Sequence, residues 1–489
     1  MEVRVREYRM KKGSFFLLAA ASIGVILTNA SAQAAGNTVM VGGELRPAYR
    51  EGEVIVKYRK GADRSLRSMD ALYQRLSIVD VKRFGGKFSA MEALTFDTNN
   101  VTVEQAVADL KRDPAVEFAQ PNYMIYALPT TKDDGGNKEA LKKCWIPGIP
   151  LPPGCSDEPD SPGPAIGGAP QEVNPAVADP DLAKAYGISK IGADQAWKTQ
   201  RGSKNVIVAV IDTGIDYNHP DLAFNIWRNP KANDANNGVD PNGDAITGDV
   251  VGYDFINKDA LPFDDNMHGT HCAGTIGAVG GDGVGISGVN QRVSIMAVKF
   301  LSGAGSGDTL GAISAIDYAV SRGAKVLSNS WGGGADENND ALREAIVRAE
   351  KAGALFVAAA GNDGGNNDKS PTYPAAFDVE NMVTVAATDS NDRMASFSNY
   401  GAKSVHVGAP GVDVYSTKPN NSYQKLSGTS MACPHVAGAA ALIWAQYPNA
   451  DYKEIKRRLL VSGDSIPALE GKTTTGKRIN VLRALDPNI

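Results

Sequence analysis

The sequence predicts an α/β protein in which helices flank a doubly wound, mostly parallel sheet, preceded by a small α+β domain. Two observations support this fold class. From about residue 179, continuous apolar runs such as Val206–Ile211 alternate with helical patterns, as expected for parallel strands buried on both faces. Between residues 51 and 126, shorter strand-like and helix-like segments form a separate unit. A chain of 489 residues also needs more than one folded core.

The N-terminal residues are typical of an export signal. Basic residues precede an apolar run over residues 15–27, and the small residues of the segment 30–34 follow it. This order is that of a secretory signal peptide with an A-x-A cleavage site, and the apolar run is short for a membrane span. We therefore expect residues 1–34 to be a signal peptide, the protein to be secreted, and the mature chain to be free of the membrane. The start of translation, at Met1 or at Met10, is left open.

The small unit has the order β-α-β-β-α-β, which predicts a ferredoxin-like domain that begins at about residue 50 within the N-terminal region 35–127. Its clearest local signal is a capping box, in which Thr102 and Gln105 begin a helix. Such a fold serves many functions, so it does not identify a function by itself. The predicted elements are strand 53–58, helix 66–76, strands 79–84 and 90–96, helix 103–111 and strand 116–126.

Residues 128–178 are rich in Pro, Gly, Asp and Lys and contain few core-forming residues. This composition predicts an exposed, semi-extended linker that proteases reach easily. Cys144 and Cys155 flank a proline-rich loop in the linker. In an exported chain these two cysteines either form a disulfide or remain free, and the sequence leaves both alternatives open.

Residues 179–489 form the predicted doubly wound domain. In such a sheet, functional side chains gather at the carboxyl ends of the strands, near the point where the strand order reverses. The strands predicted after the first one are 293–298, 325–329, 354–360 and 382–387, and the clearest helices are 309–321 and 340–352.

Four polar residues follow apolar strands or begin helices in this domain. Asp212 ends the first strand, where a fixed carboxylate is suited to orienting a histidine. His268 lies where a loop turns into a helix, and its side chain exchanges protons near neutral pH. Ser430 begins a helix whose free N–H groups favour a developing oxyanion, and the amide of Asn362 can donate a further hydrogen bond. Together they supply an orienting acid, a base, a nucleophile and an oxyanion donor.

Other interpretations of these residues are open. Asp212 and Ser430 are also typical capping residues of turns and helices. His271 lies one helical turn after His268, which suggests a metal site with two histidines. However, no glutamate lies between them as in an H-E-x-x-H motif, and no cysteine cluster has zinc-like spacing. The metal interpretation is therefore the weaker one.

The motifs around the four residues resemble those of the subtilisin family of serine proteases. They are Asp-Thr-Gly from Asp212, His-Gly-Thr-His from His268, Gly-Asn ending at Asn362 and Gly-Thr-Ser-Met-Ala around Ser430, in the order of that family. The resemblance extends from about residue 184 to 485 and implies a subtilisin-like fold. The preceding small domain resembles the inhibitory propeptide of the family, particularly in its last strand.

The resemblance implies a role for each of these residues. Ser430 attacks the scissile carbonyl with His268 as general base, and Asp212 orients the imidazole. Asn362 and the backbone N–H of Ser430 bind the oxyanion.

The substrate groove is placed by the same resemblance. Thr372 matches the floor of the P1 pocket, which implies a moderate-sized apolar P1 residue and disfavours bulky aromatic residues. The other implied groove residues are Ser330, Trp331, Gly332 and Gly333 on one wall of the pocket, Ala359, Ala360 and Gly361 opposite, and Gly305, Ser306 and Gly307 in a strand that pairs with the substrate.

The resemblance also implies calcium as a structural cofactor. Asp221 matches a ligand position of the family, and the loop 280–283 takes the place of a calcium loop, although it has few side-chain ligands. Independently, oxygen-bearing side chains recur in a later loop, which suggests a second calcium site or a solvated acidic loop. The candidate ligands of this loop are Asp240, Asn242, Asp244 and Asp249.

Cys272 lies one turn after His268, where part of the family has a free thiol close to the catalytic histidine. A disulfide between Cys272 and Cys433 is the alternative. Because both cysteines lie in predicted helices near the site, we expect two free thiols.

We expect a secreted serine endopeptidase with broad, apolar-leaning specificity, synthesised as an autoprocessed zymogen. Its expected partners are protein and peptide substrates and its own propeptide, and the mature enzyme is expected to be a monomer. The first self-cleavage is expected near residues 127–128. A processing peptidase with narrow specificity needs an acidic pocket or extra recognition domains, and the sequence shows neither. A non-enzymatic binding protein on this scaffold is expected to have lost a catalytic or oxyanion residue, and none is missing here. The formal net charge of −5 argues against a nucleic-acid partner.

Overall fold

The computed structural model describes residues 37–41, 44–61, 66–84, 91–128, 174, 177–232, 246–333 and 339–489. Three groups of expectations lie outside the described residues: the signal peptide, the linker with Cys144 and Cys155 except for a few residues near its ends, and the candidate ligands Asp240, Asn242 and Asp244.

The N-terminal domain has the predicted order β-α-β-β-α-β, preceded by a short hairpin that the sequence did not predict. Strands β6, β3, β5 and β4 form an antiparallel sheet in that order, and the capping box of Thr102 and Gln105 begins α2 as predicted. Val54, Leu94 and Leu110 are fully buried in its core. The elements are β1 (Thr38–Val41), β2 (Glu44–Pro47), β3 (Tyr49–Tyr58), α1 (Leu66–Arg75), β4 (Ile78–Phe84), β5 (Met91–Phe96), α2 (Val103–Lys111) and β6 (Val116–Ala127).

A sheet of nine strands forms the centre of the described part of the second domain. Four strands of this domain, β10, β12, β16 and β17, lie outside this sheet. The strands are β7 (Gly202–Asp212), β8 (Gly252–Asp254), β9 (Arg292–Lys299), β10 (Ser306–Asp308), β11 (Val326–Asn329), β12 (Trp331–Gly332), β13 (Leu355–Ala359), β14 (Met382–Thr388), β15 (Val407–Pro410), β16 (Val414–Lys418), β17 (Ser422–Leu426), β18 (Asp464–Ser465) and β19 (Lys477–Arg478).

The strand order of this sheet is β8-β9-β7-β11-β13-β14-β15-β19-β18, and all neighbours are parallel except β18 and β19. From β7 the chain passes to β8 and β9 on one side and then to β11 on the other. The order therefore reverses beside β7, and the carboxyl end of β7 is the expected place for a functional site. Asp212 is the last residue of β7.

Helices pack on both faces of the sheet, which confirms the doubly wound α/β fold. Helix α8 is buried over residues 429–444 and packs against β7, β11, β13 and β14, because its small apolar residues allow close approach on all sides. None of the helices in the described part of the chain combines the length and apolar composition that a membrane span needs. The helices are α3 (Tyr186–Lys190), α4 (Ala193–Ala196), α5 (His268–Gly277), α6 (Thr309–Ser321), α7 (Asp340–Lys351), α8 (Thr429–Gln446), α9 (Tyr452–Val461) and α10 (Val481–Ala484), with 3₁₀ turns at Leu182–Lys184 and Pro467–Leu469.

Strand β6 belongs to both domains. Its C-terminal half pairs antiparallel with β10 on one side, where Tyr126 faces Ser306, and with β12 on the other, where Ala127 faces Trp331. The last strand of the N-terminal domain therefore lies in a groove of the second domain, between two of its strands.

Candidate active site

Asp212 and His268 form a buried pair at the carboxyl end of β7. The distance from His268 Nδ1 to Asp212 Oδ1 is 2.7 Å, and the backbone N–H of Thr213 donates to the same oxygen at 2.7 Å. Burial alone would lower the pKa of His268, but the negative charges of Asp212 and Asp264 raise the pKa above its usual value. His268 Nε2 is buried and has no hydrogen-bond partner among the described residues, so this nitrogen is available to a reacting group.

Ser430 lies in the first turn of α8, as the sequence predicts for a helix N-terminus. Its hydroxyl hydrogen-bonds to the carbonyl oxygens of Leu128 and Ser330, at 3.0 Å each. Within the described ranges, no hydrogen bond joins Ser430 to His268. The Cys272 thiol lies within 4.8 Å of the Asp212–His268 pair and 3.5 Å from the Ser430 carbonyl oxygen, so Ser430 lies near the histidine without a hydrogen bond between the two side chains. Hydrogen bonds of this kind tighten in many enzymes only when a substrate binds.

Asn362 follows β13 and is fixed by the start of α8. Its Oδ1 accepts hydrogen bonds from the N–H of Thr429 at 2.9 Å and from the Thr429 hydroxyl at 2.8 Å. This arrangement leaves the amide Nδ2 as the donor toward the groove, where it donates to the carbonyl oxygen of Leu128. The carbonyl of Leu128 therefore contacts both the Asn362 amide and the Ser430 hydroxyl. Gly428 keeps this approach open, because a Cβ there would lie 2.9 Å from the same oxygen.

The predicted groove residues form the two strands that hold β6. Gly305 accepts a backbone hydrogen bond from Ala127 at 2.8 Å, and Ser306 and Gly307 lie in β10. On the other side, Gly333 leaves no room for a side chain, because a Cβ there would lie 2.7 Å from the carbonyl oxygen of Met124. Close backbone pairing of this kind recognises an extended peptide with little dependence on its side chains.

Not all residues of the predicted pocket wall border the space that holds the Leu128 side chain. A Cβ added to Gly332 would lie 3.4 Å from the Leu128 side chain and 3.5 Å from the methyl group of Thr372, so these three residues border one space. Thr372 is held by a hydrogen bond from Asn399 at 3.2 Å. By contrast, the indole of Trp331 is fully buried and donates to Ile211 O at 2.8 Å. The Trp331 backbone pairs with β6, but its side chain belongs to the core.

Opposite this wall, Ala359 and Ala360 are buried at the end of β13. Gly361 has a φ of +113°, a conformation that favours glycine, and a Cβ at this position would collide with Asn399. On the first wall, Ser330 donates its hydroxyl hydrogen to the Ser430 carbonyl at 2.9 Å. Ser330 therefore supports the start of α8 at Ser430.

Two charged residues beside the pair were missed by sequence reasoning. Asp264 is fully buried four residues before His268, and its carboxylate accepts hydrogen bonds from the segment that leads into α5. Lys299 ends β9, and its buried ammonium donates to Thr213 O at 2.6 Å, Leu301 O at 2.9 Å and Asp265 Oδ1 at 2.6 Å. A lysine at the end of an apolar strand was a usable signal, because a buried lysine needs partners close by.

Asp221 is fully buried and lies near two other carboxylates, the buried Asp179 and the half-buried Asp282. Its Oδ2 accepts hydrogen bonds from Ile286 N at 2.9 Å and from the Tyr423 hydroxyl at 3.0 Å, whereas Oδ1 is buried with no partner among the described residues. Burial, together with the charges of Asp282 and Asp179, raises the pKa of Asp221 to about 9. The sequence predicted Asp221 here but missed Asp179 and Asp282.

Asp221 is the carboxylate of this region that best fits a hard cation, because the oxygens of Asp179, Asp221 and Asp282 do not all lie within 4.8 Å of one another. Asp179 accepts hydrogen bonds from the N–H groups of residues 281, 282 and 283, which tie it to the predicted calcium loop. Burial, with the charge of Asp179, raises the pKa of Asp282 to about 6. A buried carboxylate oxygen without a donor, surrounded by like charges, is the environment that an oxygen-binding cation such as Ca²⁺ neutralises.

Asp249, a predicted ligand of the second calcium site, has other partners. Its Oδ1 accepts a hydrogen bond from Asn229 at 2.9 Å, and its Oδ2 accepts from the Tyr318 hydroxyl at 2.7 Å and from Arg322 Nε at 2.9 Å. Asp249 is thus the carboxylate of a buried ion pair. Because both of its oxygens are used by protein donors, we leave Asp249 out of the calcium proposal below.

Cys272 and Cys433 are free and buried, as expected. The Cys272 thiol lies 3.5 Å from the carbonyl oxygen of Ser430, and the Cys433 thiol lies 3.5 Å from Val357 O. Burial raises the pKa of the Cys272 thiol well above its usual value and that of Cys433 to about 11. Both groups are therefore neutral thiols at neutral pH, the form in which a cysteine is a weak nucleophile.

A paired histidine, a serine at a helix N-terminus and an amide donor, all at the carboxyl edge of a doubly wound sheet, are the parts of a serine hydrolase. Comparison with known proteins gives the family. The profile of the subtilase family, Peptidase_S8, matches residues 203–477, and that of the fervidolysin N-terminal prodomain matches residues 38–122. The chain belongs to the subtilase family and is a serine endopeptidase with an N-terminal prodomain.

Individual relatives agree with this assignment. The chain is 39% identical to thermitase from Thermoactinomyces vulgaris over 302 residues, which are 62% of this chain and 96% of the relative. It is 33% identical to a thermophilic serine proteinase from Bacillus sp. (strain AK1) over 425 residues, covering 86% of this chain and 84% of the relative. It is 39% identical to subtilisin DY from Bacillus licheniformis over 275 residues, covering 56% and 89%.

Proposed function

We propose that the chain is the precursor of a secreted endopeptidase whose catalytic residues are Asp212, His268, Ser430 and Asn362, and that its N-terminal domain inhibits it until cleavage. One observation supports this most strongly. The carbonyl oxygen of Leu128 contacts both the Ser430 hydroxyl and the Asn362 amide. A peptide carbonyl thus has the position of a scissile carbonyl between a nucleophile and an oxyanion donor.

In the proposed reaction, Ser430 Oγ attacks the substrate carbonyl carbon while His268 Nε2 removes its proton. His268 then gives the proton to the leaving nitrogen, and water hydrolyses the acyl-enzyme. Asp212 holds His268 through Nδ1 and stabilises the imidazolium. Asn362 Nδ2 and the backbone N–H of Ser430, in the first turn of α8, bind the oxyanion. Before attack, the Ser430 hydroxyl has to turn from its contact with Ser330 toward His268.

The end of β6 supports a preference for apolar substrates. Leu128 has the P1 position, beside Gly332 and Thr372, and Ala127 has the P2 position. Ile125 at P4 is buried in the apolar cluster of the catalytic domain. We propose broad specificity with an apolar P1 residue of moderate size, because the Thr372 methyl group restricts the space that a bulky aromatic ring needs.

The N-terminal domain makes polar contacts that support its role as an inhibitor. Gln120 accepts a hydrogen bond from the N–H of Ala341 at 3.1 Å, at the start of α7. Asn122 accepts one from the N–H of Leu310 at 3.2 Å, at the start of α6. These side chains satisfy N–H groups that have no partner within their own helices. Since β6 also fills the groove, release of the domain is needed before a substrate enters.

The first self-cleavage is proposed to fall between Leu128 and Pro129, one bond later than the sequence expectation near residues 127–128; the contacts of the Leu128 carbonyl oxygen with Ser430 and Asn362 support this bond. In a bond to proline, a ring carbon replaces the N–H hydrogen. This carbon crowds the nitrogen to which His268 delivers the proton. We therefore propose that the precursor cuts itself slowly at this bond, which prolongs inhibition.

Calcium is the proposed structural cofactor, with Asp221 as its carboxylate ligand. When bound, it would supply positive charge to Asp221, whose Oδ1 is buried without a partner among the described residues, and to the nearby charges of Asp179 and Asp282. The segment 1–34 supports export, and we propose that the mature enzyme acts as a secreted monomer.

Two measurements test these proposals. Mass spectrometry of the refolded precursor should show faster release of a product ending at Leu128 from the Pro129→Ala variant than from the natural chain; equal rates contradict the slow-cleavage proposal.

With fluorogenic peptides, kcat/KM should be about 100-fold higher for Leu than for Asp at P1. The Thr372→Gly variant should gain activity on Phe at P1 relative to Leu. An unchanged Phe-to-Leu ratio would remove Thr372 from the specificity proposal.

A further inference from the structure

Asp264 connects the two residues of the catalytic pair through five hydrogen bonds. Oδ1 accepts from the Thr213 hydroxyl at 2.8 Å, from Asn266 N at 3.0 Å and from Met267 N at 2.9 Å. Oδ2 accepts from Thr270 N at 2.8 Å and from the Thr270 hydroxyl at 2.6 Å. All five partners are donors, so the group acts as an acceptor throughout, as a carboxylate does.

These donors come from three segments around the site. Thr213 is the neighbour of Asp212, residues 266 and 267 lead into His268, and Thr270 lies in the first turn of α5. The Thr213 hydroxyl also accepts a hydrogen bond from the N–H of Gly269 at 2.9 Å. The Asp264 carboxylate therefore fixes the segment that carries Asp212 relative to the segment that carries His268.

The start of α5 depends on Asp264 because its own N-cap residue does not cap it. Met267 occupies the N-cap position with a φ of 130°, a conformation that is unfavourable for a residue with a side chain, and its side chain makes no capping bond. Asp264 and Thr213 accept the N–H groups of Thr270 and Gly269 instead. A strained residue directly before His268 persists only where its surroundings hold it.

We propose that Asp264 is a positioning residue of the active site: it holds His268 in register with Asp212 and places a second negative charge near the imidazole. This inference rests on the proposed roles of Asp212 and His268. Asp264 touches neither the substrate strand nor the reacting atoms, so its effect passes through the segments that it holds.

The charges around His268 support the electrostatic part. Asp212 approaches from β7 and Asp264 from the loop before α5, and both raise the pKa of His268 against the effect of burial. From α5 itself, burial lowers the pKa of His271 to about 3 and keeps the Cys272 thiol neutral. From α8, burial lowers the pKa of His435 to about 4. From β9, the Lys299 ammonium donates to Thr213 O, next to Asp212, and to Asp265. The negative charges that raise the pKa of His268 are those of Asp212 and Asp264.

The test compares Asp264→Asn with the natural enzyme in the pH dependence of kcat and KM. Loss of a nearby negative charge lowers the pKa of His268. Because the general base must be unprotonated for activity, the acid limb of the pH–kcat profile moves to lower pH. We expect a kcat about 10- to 100-fold lower, since small misplacements of catalytic groups have such effects, with KM nearly unchanged. The matched control is Asp259→Asn, which removes the same charge from an exposed residue and should leave both the limb and kcat unchanged.

A second variant separates position from charge. Thr213→Val removes one donor to Asp264 but keeps the carboxylate, so kcat should fall while the acid limb stays in place. If Asp264→Asn does not mature, the His268 titration is followed by NMR in the Ser430→Ala precursor, with and without the change. An acid limb or His268 titration that does not move overturns the electrostatic part. A kcat of Thr213→Val within twofold of the natural enzyme overturns the positioning part. Loss of activity in Ser430→Ala tests the proposed function independently.

Discussion

Two buried groups of carboxylates in the catalytic domain differ in the neighbours that compensate their charge. Asp212 and Asp264 face an imidazole, backbone N–H groups and hydroxyls, all of which can donate to them. Asp221 lies near Asp179 and Asp282, whose charges, together with burial, raise its pKa. Asp212 Oδ2 and Asp221 Oδ1 are both buried without a partner among the described residues, so the two groups differ in their charged neighbours rather than in unused oxygens. The first group has an imidazole that can take up a proton and is suited to catalysis, whereas the second has like charges and is suited to binding a cation.

The largest expected effect is a loss of turnover in the first group. Asp212→Asn removes the charge that stabilises the His268 imidazolium and changes the preferred tautomer, so kcat should fall about 10⁴-fold, as in the corresponding change in trypsin-like enzymes. The measurement is kcat on a peptide after maturation by added protease. If the melting temperature falls sharply instead, while the remaining folded enzyme keeps its kcat, the two groups do not differ as described.

Asn362→Ala should have the next largest effect on turnover. Loss of the amide removes one donor to the oxyanion, and the comparable change in a subtilisin costs about 10²–10³ in kcat. KM should change little, because the donor acts mainly on the transition state. Steady-state kinetics on one peptide measure both constants. A rise in KM at constant kcat would assign Asn362 to ground-state binding.

The ion pair of Asp249 allows a stability test outside both groups. Asp249→Asn leaves the Arg322 guanidinium without its carboxylate, and breaking a buried pair in this way costs about 3–5 kcal/mol of unfolding free energy. The measurement is thermal unfolding in the Ser430→Ala chain, which cannot digest itself under the proposed mechanism. We expect the response to calcium chelation to remain. Loss of that response would return Asp249 to the set of calcium ligands.

Calcium removal should destabilise the second group. A ligand present at about 100 times its Kd adds about 2.7 kcal/mol to the unfolding free energy, so EGTA should lower the melting temperature of the Ser430→Ala chain. Asp221→Asn should weaken this response strongly, because it removes the carboxylate whose Oδ1 lacks a donor. A full response in Asp221→Asn would place the cation elsewhere.

In the absence of calcium, the titration of Asp221 should make the unfolding free energy depend on pH. The pKa of Asp221 is raised from 3.8 to about 9 in the folded protein, so the folded state holds its proton more tightly than the unfolded state does. The stability from this residue is present below pH 3.8 and is lost as the pH rises toward about 9. Melting of Ser430→Ala and of Ser430→Ala with Asp221→Asn, both in EGTA, isolates the contribution. If the melting temperatures of the two chains changed with pH in the same way, the contribution would not come from Asp221.

Much of the architecture follows from the sequence, because its signals are local. Continuous apolar runs predicted the buried parallel strands, and the Thr102 capping box predicted the start of α2. The hairpin β1–β2 was missed because its strands are only four residues each.

Site residues could be predicted where they belong to a sequence motif. They could not be predicted where their role depends on contacts with residues distant in the sequence. Asp212 and His268 were expected to meet, and they lie in hydrogen-bond contact. The function of Asp264 depends on a hydroxyl 51 residues away in the sequence. The spacing of acids that suggested a metal ligand at Asp249 is shared by ion pairs, and only the fold brings Arg322 beside it.

In our proposal, the centre around Ser430 cleaves peptide bonds, beginning with its own precursor. The decisive experiment is to express the chain without residues 1–34, beside a Ser430→Ala copy, and to follow chain length by mass spectrometry and casein hydrolysis with calcium present. We expect the natural chain to shorten and digest casein while the Ser430→Ala copy stays at full length and is inactive. Equal activity of the two chains, or no cleavage by either even after added protease removes the N-terminal domain, would contradict the proposal.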